Sequence, residues 1–346
     1  MKSSEYWKAR FEALNERLLN IGEESIPYIE KRYDTAISNI QKEIEVFYRR
    51  FAAENDFTYA DAKKILDSDE RQEFQLALEE YIRMGKENAL DQRWMKELEN
   101  ASTIYRMDRL KALQLQMRQQ IELLEAEKDK KLHEALGKTY EQGYYHTAYE
   151  IQKRVGAGSA FAVLDATKLE KVLSKPWAPD GKNFSKRVWG DDKTNLLYQL
   201  ETRLTQGMIR GESAEKIIKD VTKVLNTSRV AAKRLILTEG AYFASASRLD
   251  AYKAMDVEQY EFVATLDLKT SSLCRSMDGR VFDLSEYQVG LNAPPLHVYC
   301  RSTTVPFFDD EFTHGEERAA RTENNKLRYV PSSITYNDWY KEYVGR

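Results

Sequence analysis

The sequence predicts a mainly α-helical protein, with long N-terminal and central helices and a small α+β module towards the C-terminus. Three observations support this fold class. Apolar residues recur every three or four positions over residues 4–155, which is the spacing of one helix face. The same period continues through residues 193–210 and 213–254. After Met255 it gives way to short strand-like runs that are separated by turns.

The N-terminal helices are predicted from apolar stripes with breaks between them. Breaks are expected at Gly22–Pro27, where Ser25 and Pro27 suit a helix start, and at Asn55–Thr58. Packing between helices accounts for such stripes, although the alternating charges of residues 104–136 also fit a partner-binding coiled-coil arm. The stripes comprise Trp7, Phe11, Leu14 and Leu18, then Tyr33, Ile37, Ile40, Ile44, Phe47 and Phe51, then Leu110, Leu113, Met117, Ile121, Leu124 and Leu132.

Four consecutive segments are expected along the chain. Gly156–Ser159 supplies a flexible linker after the first of them. In the central part, Gly211 is expected to end one helix and Ser213 to cap the next. The segments are an N-terminal helical domain (1–155), a basic central helical segment (156–255), a small α+β module (256–308) and a C-terminal tail (309–346).

The α+β module is predicted from three strand-like runs, Glu261–Asp267, Arg280–Phe282 and Thr303–Phe307. Turns at Asp278-Gly279 and at Pro294-Pro295 separate these runs. The predicted module therefore lies at the end of a helical body.

Composition excludes several classes of protein. Hydrophobic residues make up 42% of the chain and charged residues 32%, a balance typical of ordered proteins. Two cysteines are too few for a disulfide-framed secreted scaffold. The start MKSSEYWKARFEALNERLL does not resemble a signal peptide, and no apolar run approaches the roughly 20 residues that span a bilayer. A reducing aqueous compartment is expected, without a membrane.

The most specific local pattern combines Cys274, His297 and Cys300, which the Asp278-Gly279 turn can bring together. A close His-x-x-Cys pair with a distant cysteine is compatible with a small structural zinc site. Structural zinc usually takes four ligands, and this set offers three. Two alternatives stay open: buried cysteines with a histidine bonded to the backbone, and a catalytic Cys–His pair.

The central part of the chain is basic, because residues 168–234 hold 15 Lys or Arg against 8 Asp or Glu. Clustered cations bind phosphate, and interleaved aromatic rings can stack on bases. The alternative is an ordinary solvated helix face. The candidate DNA-binding residues are Lys182, Lys186, Arg187, Lys193, Arg203 and Arg210, with Trp177, Phe184, Trp189 and Tyr198 between or beside them.

Enzymatic motifs are absent from the sequence: there is no G-x-x-x-x-G-K-[ST], G-x-G-x-x-G after a strand, G-x-S-x-G or H-E-x-x-H. Glu239 lies in a helical pattern and is expected to form a structural ion pair with Arg234 or Arg248 rather than to act as a general base. The sequence therefore predicts a binding protein and not an enzyme.

Seven blocks of sequence follow one another along the chain: Tyr6–Arg10, Asn183–Trp189, Gly207–Ser213, Arg234–Glu239, Asp267–Cys274, His297–Arg301 and Ile334–Trp339. In this order they resemble the phage minor head proteins, a head-morphogenesis family that includes the Mu F-like domain. The resemblance marks Trp189, Glu239, Asp267, Thr270, Asp278, Gly279 and Arg301 as structural motif residues. One departure is that the family often has a cysteine where Ser271 stands.

The resemblance implies a structural minor component of the virion, made in the host cytoplasm and present in the phage head. Its implied partners are the portal protein and other capsid or scaffold proteins, with double-stranded DNA as a further candidate. It implies roles in head assembly and in genome packaging or ejection. Two other hypotheses remain: a nucleic-acid-binding accessory protein, and a metal-dependent hydrolase built around Cys274, His297 and Cys300.

Overall fold

The computed structural model describes residues 3–51, 59–87, 92–103, 108–155, 164, 166–308, 317–321, 327–331 and 338. The mainly α fold with a small C-terminal sheet is confirmed. The Asn55–Thr58 break, the Gly156–Ser159 linker and most of Ile334–Trp339 lie outside the described residues. The helices are α1 (Ser3–Phe51), α2 (Tyr59–Ala62), α3 (Ser68–Glu87), α4 (Gln92–Thr103), α5 (Arg109–Val155), α6 (Ala166–Leu173), α7 (Phe184–Lys186), a π-helix (Arg187–Asp192), α8 (Lys193–Ile209), α9 (Ala214–Ala254), α10 (Ser272–Met277) and a 3-10 turn (Leu284–Glu286).

The strands are β1 (Gln259–Val263), β2 (Val281–Asp283), β3 (Thr303–Phe307), β4 (Glu317–Arg321) and β5 (Leu327–Pro331). The first three form an antiparallel sheet in the order β2-β1-β3, and the last two form an antiparallel pair. β1 ends at Val263, earlier than predicted, because the next backbone N–H, that of Ala264, donates to Asp278 Oδ1 at 2.8 Å.

The predicted break at Gly22–Pro27 is wrong, because α1 runs through it without interruption. Ser25 does not cap a helix start; its hydroxyl donates to the Gly22 carbonyl at 2.6 Å, one turn back. Ile26 and Ile29 are both buried, so the apolar face continues past the proline. Packing along that face outweighs the backbone hydrogen bond that Pro27 cannot make.

The chain divides into two compact units that are discontinuous in sequence. The first unit comprises residues 1–26, 132–175 and 233–346, and the second comprises 27–131 and 176–232. Each of the long helices α1, α5 and α9 contributes residues to both. The division into four consecutive segments stays a prediction about order along the chain.

In the first unit, α5 and α9 approach each other closely at a glycine. A Cβ atom on Gly143 would lie 2.0 Å from Ser247 Oγ and 2.9 Å from Ser247 Cβ. Aromatic residues of α1 then pack towards the sheet, since Trp7 and Phe11 share a buried cluster with Tyr252 and Tyr260. Small residues between the helices therefore allow large residues to fill the space beside the sheet.

In the second unit, α8 and α9 form a helical hairpin whose turn was predicted correctly. Gly211 has φ +65°, and the N–H of Glu212 donates to the Gly207 carbonyl at 2.9 Å. This bond satisfies a carbonyl in the last turn of α8, and it requires a residue in the left-handed conformation after the helix. Ser213 Oγ accepts the N–H of Lys216 at 3.4 Å and caps α9, as predicted.

The second unit also buries charged side chains. Lys128 Nζ lies 2.5 Å from Glu125 Oε2 and 3.5 Å from Asp192 Oδ2, and the side chains of Lys128 and Glu125 are fully buried. Lys193 Nζ bonds both oxygens of Glu122 at 3.1 Å. Burial lowers the pKa of Lys128, but the nearby carboxylates outweigh it and hold the pKa above its ordinary value.

Candidate metal centre of the C-terminal module

Cys274, His297 and Cys300 meet in the first unit, as the sequence spacing indicated. Their ligand atoms all lie within 4.8 Å of one another. Cys274 Sγ is 3.2 Å from His297 Nε2 and 3.7 Å from Cys300 Sγ. Both cysteines are buried and neither forms a disulfide. The cluster is thus a set of soft donors with two sulfurs and one imidazole nitrogen.

Local backbone structure explains why these three side chains converge. Ser271 caps α10 by accepting the N–H of Cys274 at 3.2 Å, which fixes Cys274 in the first turn of that helix. The His297–Cys300 segment is a tight turn in which the N–H of Cys300 donates to the His297 carbonyl at 3.2 Å. Tyr299 adopts φ +60° within this turn. The two ligands on the turn therefore face the one on the helix.

The distance between the two sulfurs fits a tetrahedral zinc ion. Zn–S bonds of about 2.3 Å at tetrahedral angles place two sulfurs about 3.8 Å apart, and the sulfurs of Cys274 and Cys300 are 3.7 Å apart. A disulfide would need an S–S distance of about 2.05 Å. The same geometry puts a zinc-bound imidazole nitrogen about 3.6 Å from a sulfur, a few tenths more than the 3.2 Å between Cys274 and His297.

The orientation of His297 suits metal binding as well. Its Nδ1 lies 2.7 Å from the Val298 carbonyl, so Nδ1 carries the proton and Nε2 faces the sulfurs. Histidine ligands of metals are commonly oriented by such a bond from the other ring nitrogen. The expectation that His297 bonds the backbone is therefore compatible with metal binding.

The pKa values of the two thiols shift in opposite directions. The hydrogen bond between the two thiols lowers the pKa of Cys274 to about 5, and hydrogen bonds with Ser271 and Ser302 act in the same direction, although burial opposes the change. The pKa of Cys300 is raised in turn, chiefly by the hydrogen bond to Cys274. A thiolate is the form in which cysteine binds metal or attacks an electrophile.

Ser271 stands beside the cluster, at the position where the resemblance to phage minor head proteins leads us to expect a cysteine. Its hydroxyl lies 2.8 Å from His297 Nε2. In the sequence Ser271 is noted only as a departure from the family, and this contact with His297 was not predicted. The signal that could have revealed it is the Ser-x-x-Cys spacing, because a residue that caps a helix lies next to the residue three positions on.

A network of motif residues holds the cluster in place. Asp267 pairs with Arg301 through two bonds of 2.5 and 2.9 Å and also accepts the Thr270 hydroxyl at 3.0 Å. Burial raises the pKa of Asp267, but the Arg301 guanidinium outweighs burial and holds it below its ordinary value. Gly279 has φ +77° in the turn after α10, next to Asp278. These residues fix the loops that carry the ligands.

Glu239 is buried, but its predicted partner Arg248 bonds elsewhere. Arg248 donates from Nη2 to Asn15 Oδ1 at 2.8 Å, while its Nε and Nη1 have no hydrogen-bond partner among the described residues. Positions nine residues apart lie on opposite sides of a helix. A direct Glu239–Arg248 pair is therefore not formed, and burial lowers the pKa of Arg248.

Most of the candidate DNA-binding cations lie beside carboxylates. Trp189 lies under Lys193, whose Nζ is 5.0 Å from the ring centroid. Lys186 and Arg203 have exposed side chains. These ion pairs reduce the positive charge that the segment presents to a polyanion. The pairs are Lys182–Asp191, Arg187–Asp180, Lys193–Glu122 and Arg210–Glu212.

The family model for Phage Mu protein F like protein matches residues 198–305, which include the whole cysteine–histidine cluster. Residues 198–305 are therefore similar to the Mu F-like domain. The Minor head protein GP7 of Bacillus phage SPP1 is 23% identical over 228 residues, which cover 62% of this chain and 72% of that protein. No solved structure matches. The resemblance to phage minor head proteins is thereby confirmed.

Among the described helices, none has the length and apolar character that crossing a membrane requires.

Proposed function

We propose that this protein is a structural minor component of a phage head and acts in head assembly by binding other proteins. The observation that carries the proposal is the Mu F-like domain at residues 198–305, together with the similarity to a minor head protein. The fold supports it, because long helices present extended faces to partners while the small sheet module is fixed by specific side chains. Its partners are the portal protein and other capsid or scaffold proteins, and its location is the virion.

Contacts with proteins are favoured over contacts with DNA as the main activity. Lys182, Arg187, Lys193 and Arg210 each have a carboxylate partner within 3.1 Å. Phosphate would have to displace those carboxylates, which weakens the electrostatic gain from counterion release. Any part in genome packaging or ejection then follows from the protein's contacts with the portal and not from direct binding of DNA.

Within this function the cluster is a structural zinc site. Cys274, His297 and Cys300 would hold the ion, which supplies a rigid cross-link between α10 and the turn before β3. The alternative, a nucleophilic Cys–His pair, would use the same 3.2 Å contact. The burial of Cys274, which is 1% exposed, favours a structural role over attack on a substrate.

The test is incorporation into heads that contain no DNA. We expect tagged protein to co-purify with such procapsids in a fixed copy number, measured by mass spectrometry of the particles, and to remain after nuclease treatment. The matched variant is Lys186→Glu with Arg203→Glu, which reverses two exposed charges and is expected to leave incorporation unchanged.

Two outcomes contradict the proposal. Absence of the protein from all heads would remove the structural role. Presence in filled heads alone, with loss after nuclease treatment or in the charge-reversed variant, would replace it with a nucleic-acid-binding accessory role. In that case the affinity for DNA should fall steeply as salt rises.

A further inference from the structure

We propose that the hydroxyl of Ser271 takes the fourth position around the zinc ion, which makes the site a Ser–Cys–His–Cys site. This inference rests on the zinc site that forms part of the proposed function. Its starting point is a hydrogen-bond contact: Ser271 Oγ lies 2.8 Å from His297 Nε2, which places the hydroxyl beside the same nitrogen that Cys274 Sγ approaches at 3.2 Å.

The position of Ser271 is fixed by the helix that it caps. Its hydroxyl accepts the N–H of Cys274 at 3.2 Å, so the two side chains lie side by side at the start of α10. If residue 271 were the first cysteine of a Cys-x-x-Cys pair, its sulfur would be attached to the same Cβ position as the Ser271 hydroxyl. The hydroxyl therefore occupies the side of the cluster where the first thiol of such a pair would be.

The substitution changes the chemistry of the site. Two thiolates and a neutral imidazole carry two negative charges, whereas a third thiolate would add one more. A neutral hydroxyl is a harder and weaker donor for zinc than a thiolate. The site in this chain should consequently bind zinc less tightly than a three-sulfur site, and its fourth position should exchange ligands more readily.

The experiment measures metal affinity in the full-length chain and does not depend on any activity. Purified apoprotein is titrated with Zn²⁺ against a chromophoric chelator and with Co²⁺ under anaerobic, reducing conditions. We expect Ser271→Cys to raise the zinc affinity by at least about 10-fold and to strengthen the sulfur-to-cobalt charge-transfer absorption. We expect Ser271→Ala to lower the affinity by about 10-fold.

The control is Ser276→Ala, because Ser276 is an exposed serine of the same helix whose hydroxyl donates to the Leu273 carbonyl at 2.8 Å. It should bind both metals as the unmodified protein does. Loss of the helix cap can explain a loss of affinity in Ser271→Ala, but it cannot explain a gain in Ser271→Cys. The gain shows that position 271 reaches the metal. The decisive result is Ser271→Gly, which removes the hydroxyl at little cost to a helix N-cap and should lower the affinity as Ser271→Ala does.

The outcomes separate this inference from the zinc site itself. If the unmodified protein and Ser271→Cys both fail to bind zinc and cobalt while their circular dichroism shows a folded chain, the zinc site is wrong. If the unmodified protein binds tetrahedral cobalt and Ser271→Cys changes neither the affinity nor the spectrum, the site stands and Ser271 is not a ligand.

Discussion

Each compact unit buries a cation, but the partners of the two cations differ in charge. In the second unit Lys128 is fully buried and lies against the carboxylates of Glu125 and Asp192. In the first unit Arg248 is 1% exposed, and its described hydrogen bond goes to the neutral side chain of Asn15. One charge is neutralised by its neighbours and the other is only solvated by a dipole.

This difference teaches that burial alone does not determine what a charged residue contributes. Removing one member of a buried ion pair leaves the other charge without compensation, which costs far more than the pair itself contributes. Removing a charge that has only a neutral partner leaves a single amide to satisfy. The following substitutions test the comparison, from the largest expected effect to the smallest.

Lys128→Met should destabilise the protein by about 3–5 kcal/mol, because it leaves Glu125 buried without its cation. The free energy of unfolding is measured by urea denaturation. Lys216→Met is the matched control: Lys216 pairs with Asp220 on an exposed face, and its loss should cost under about 1 kcal/mol. Equal losses in the two variants would refute the view that buried pairing makes Lys128 critical.

Asp267→Asn should cost about 1.5–3 kcal/mol, because it weakens charged hydrogen bonds to a half-exposed cation, Arg301. The pKa of Asp267 is depressed in the folded state, so its contribution is present above the ordinary carboxyl pKa of roughly 4 and is lost as pH falls through the folded value. The stability difference between the two proteins should shrink below that pH. A difference that stays constant from neutral to acidic pH would contradict the ion pair.

Gly143→Ala should cost about 1–3 kcal/mol through overpacking, because the new methyl group would overlap Ser247. Gly240→Ala is the control in the same kind of helix, since among the described residues no atom outside the adjoining helix backbone lies within 4 Å of the added Cβ. That change should stabilise the protein by up to about 1 kcal/mol. Thermal unfolding of both variants gives the comparison, and a stable Gly143→Ala protein would show that α5 and α9 can separate.

Arg248→Met should change the free energy of unfolding by less than about 1.5 kcal/mol, because an apolar side chain replaces a cation that has no acidic partner among the described residues. Urea denaturation measures the change. A loss as large as that of Lys128→Met would mean that Arg248 is compensated after all, and the contrast between the units would disappear.

Much of the helical part was predictable, because side-chain burial follows the apolar period. Trp7, Phe11, Leu14 and Leu18 are all buried, as their spacing indicated. The turn at Gly211 and the strand at Thr303–Phe307 were also predictable, because each depends only on residues that are close in sequence. Elements that depend on short stretches of sequence can therefore be predicted from the sequence alone.

The contacts between distant residues were not predictable in this way. Lys193 and Glu122 are 71 positions apart, and no periodicity links a basic helix to the carboxylate that neutralises it. The predicted break at Pro27 was wrong for a related reason. Burial of Ile26 and Ile29 stabilises the helix through this position despite the proline. The cysteine–histidine cluster was found from spacing, whereas the contact between Ser271 and His297 depends on how α10 is capped.

The approach of Gly143 to Ser247 has an evolutionary consequence. Even a serine reduced to alanine would keep the Cβ that lies 2.9 Å from the added atom, so only a glycine at position 247 would remove the overlap with a side chain at position 143. The two positions are therefore coupled, and among sequences descended from this one a side chain at 143 should accompany a glycine at 247.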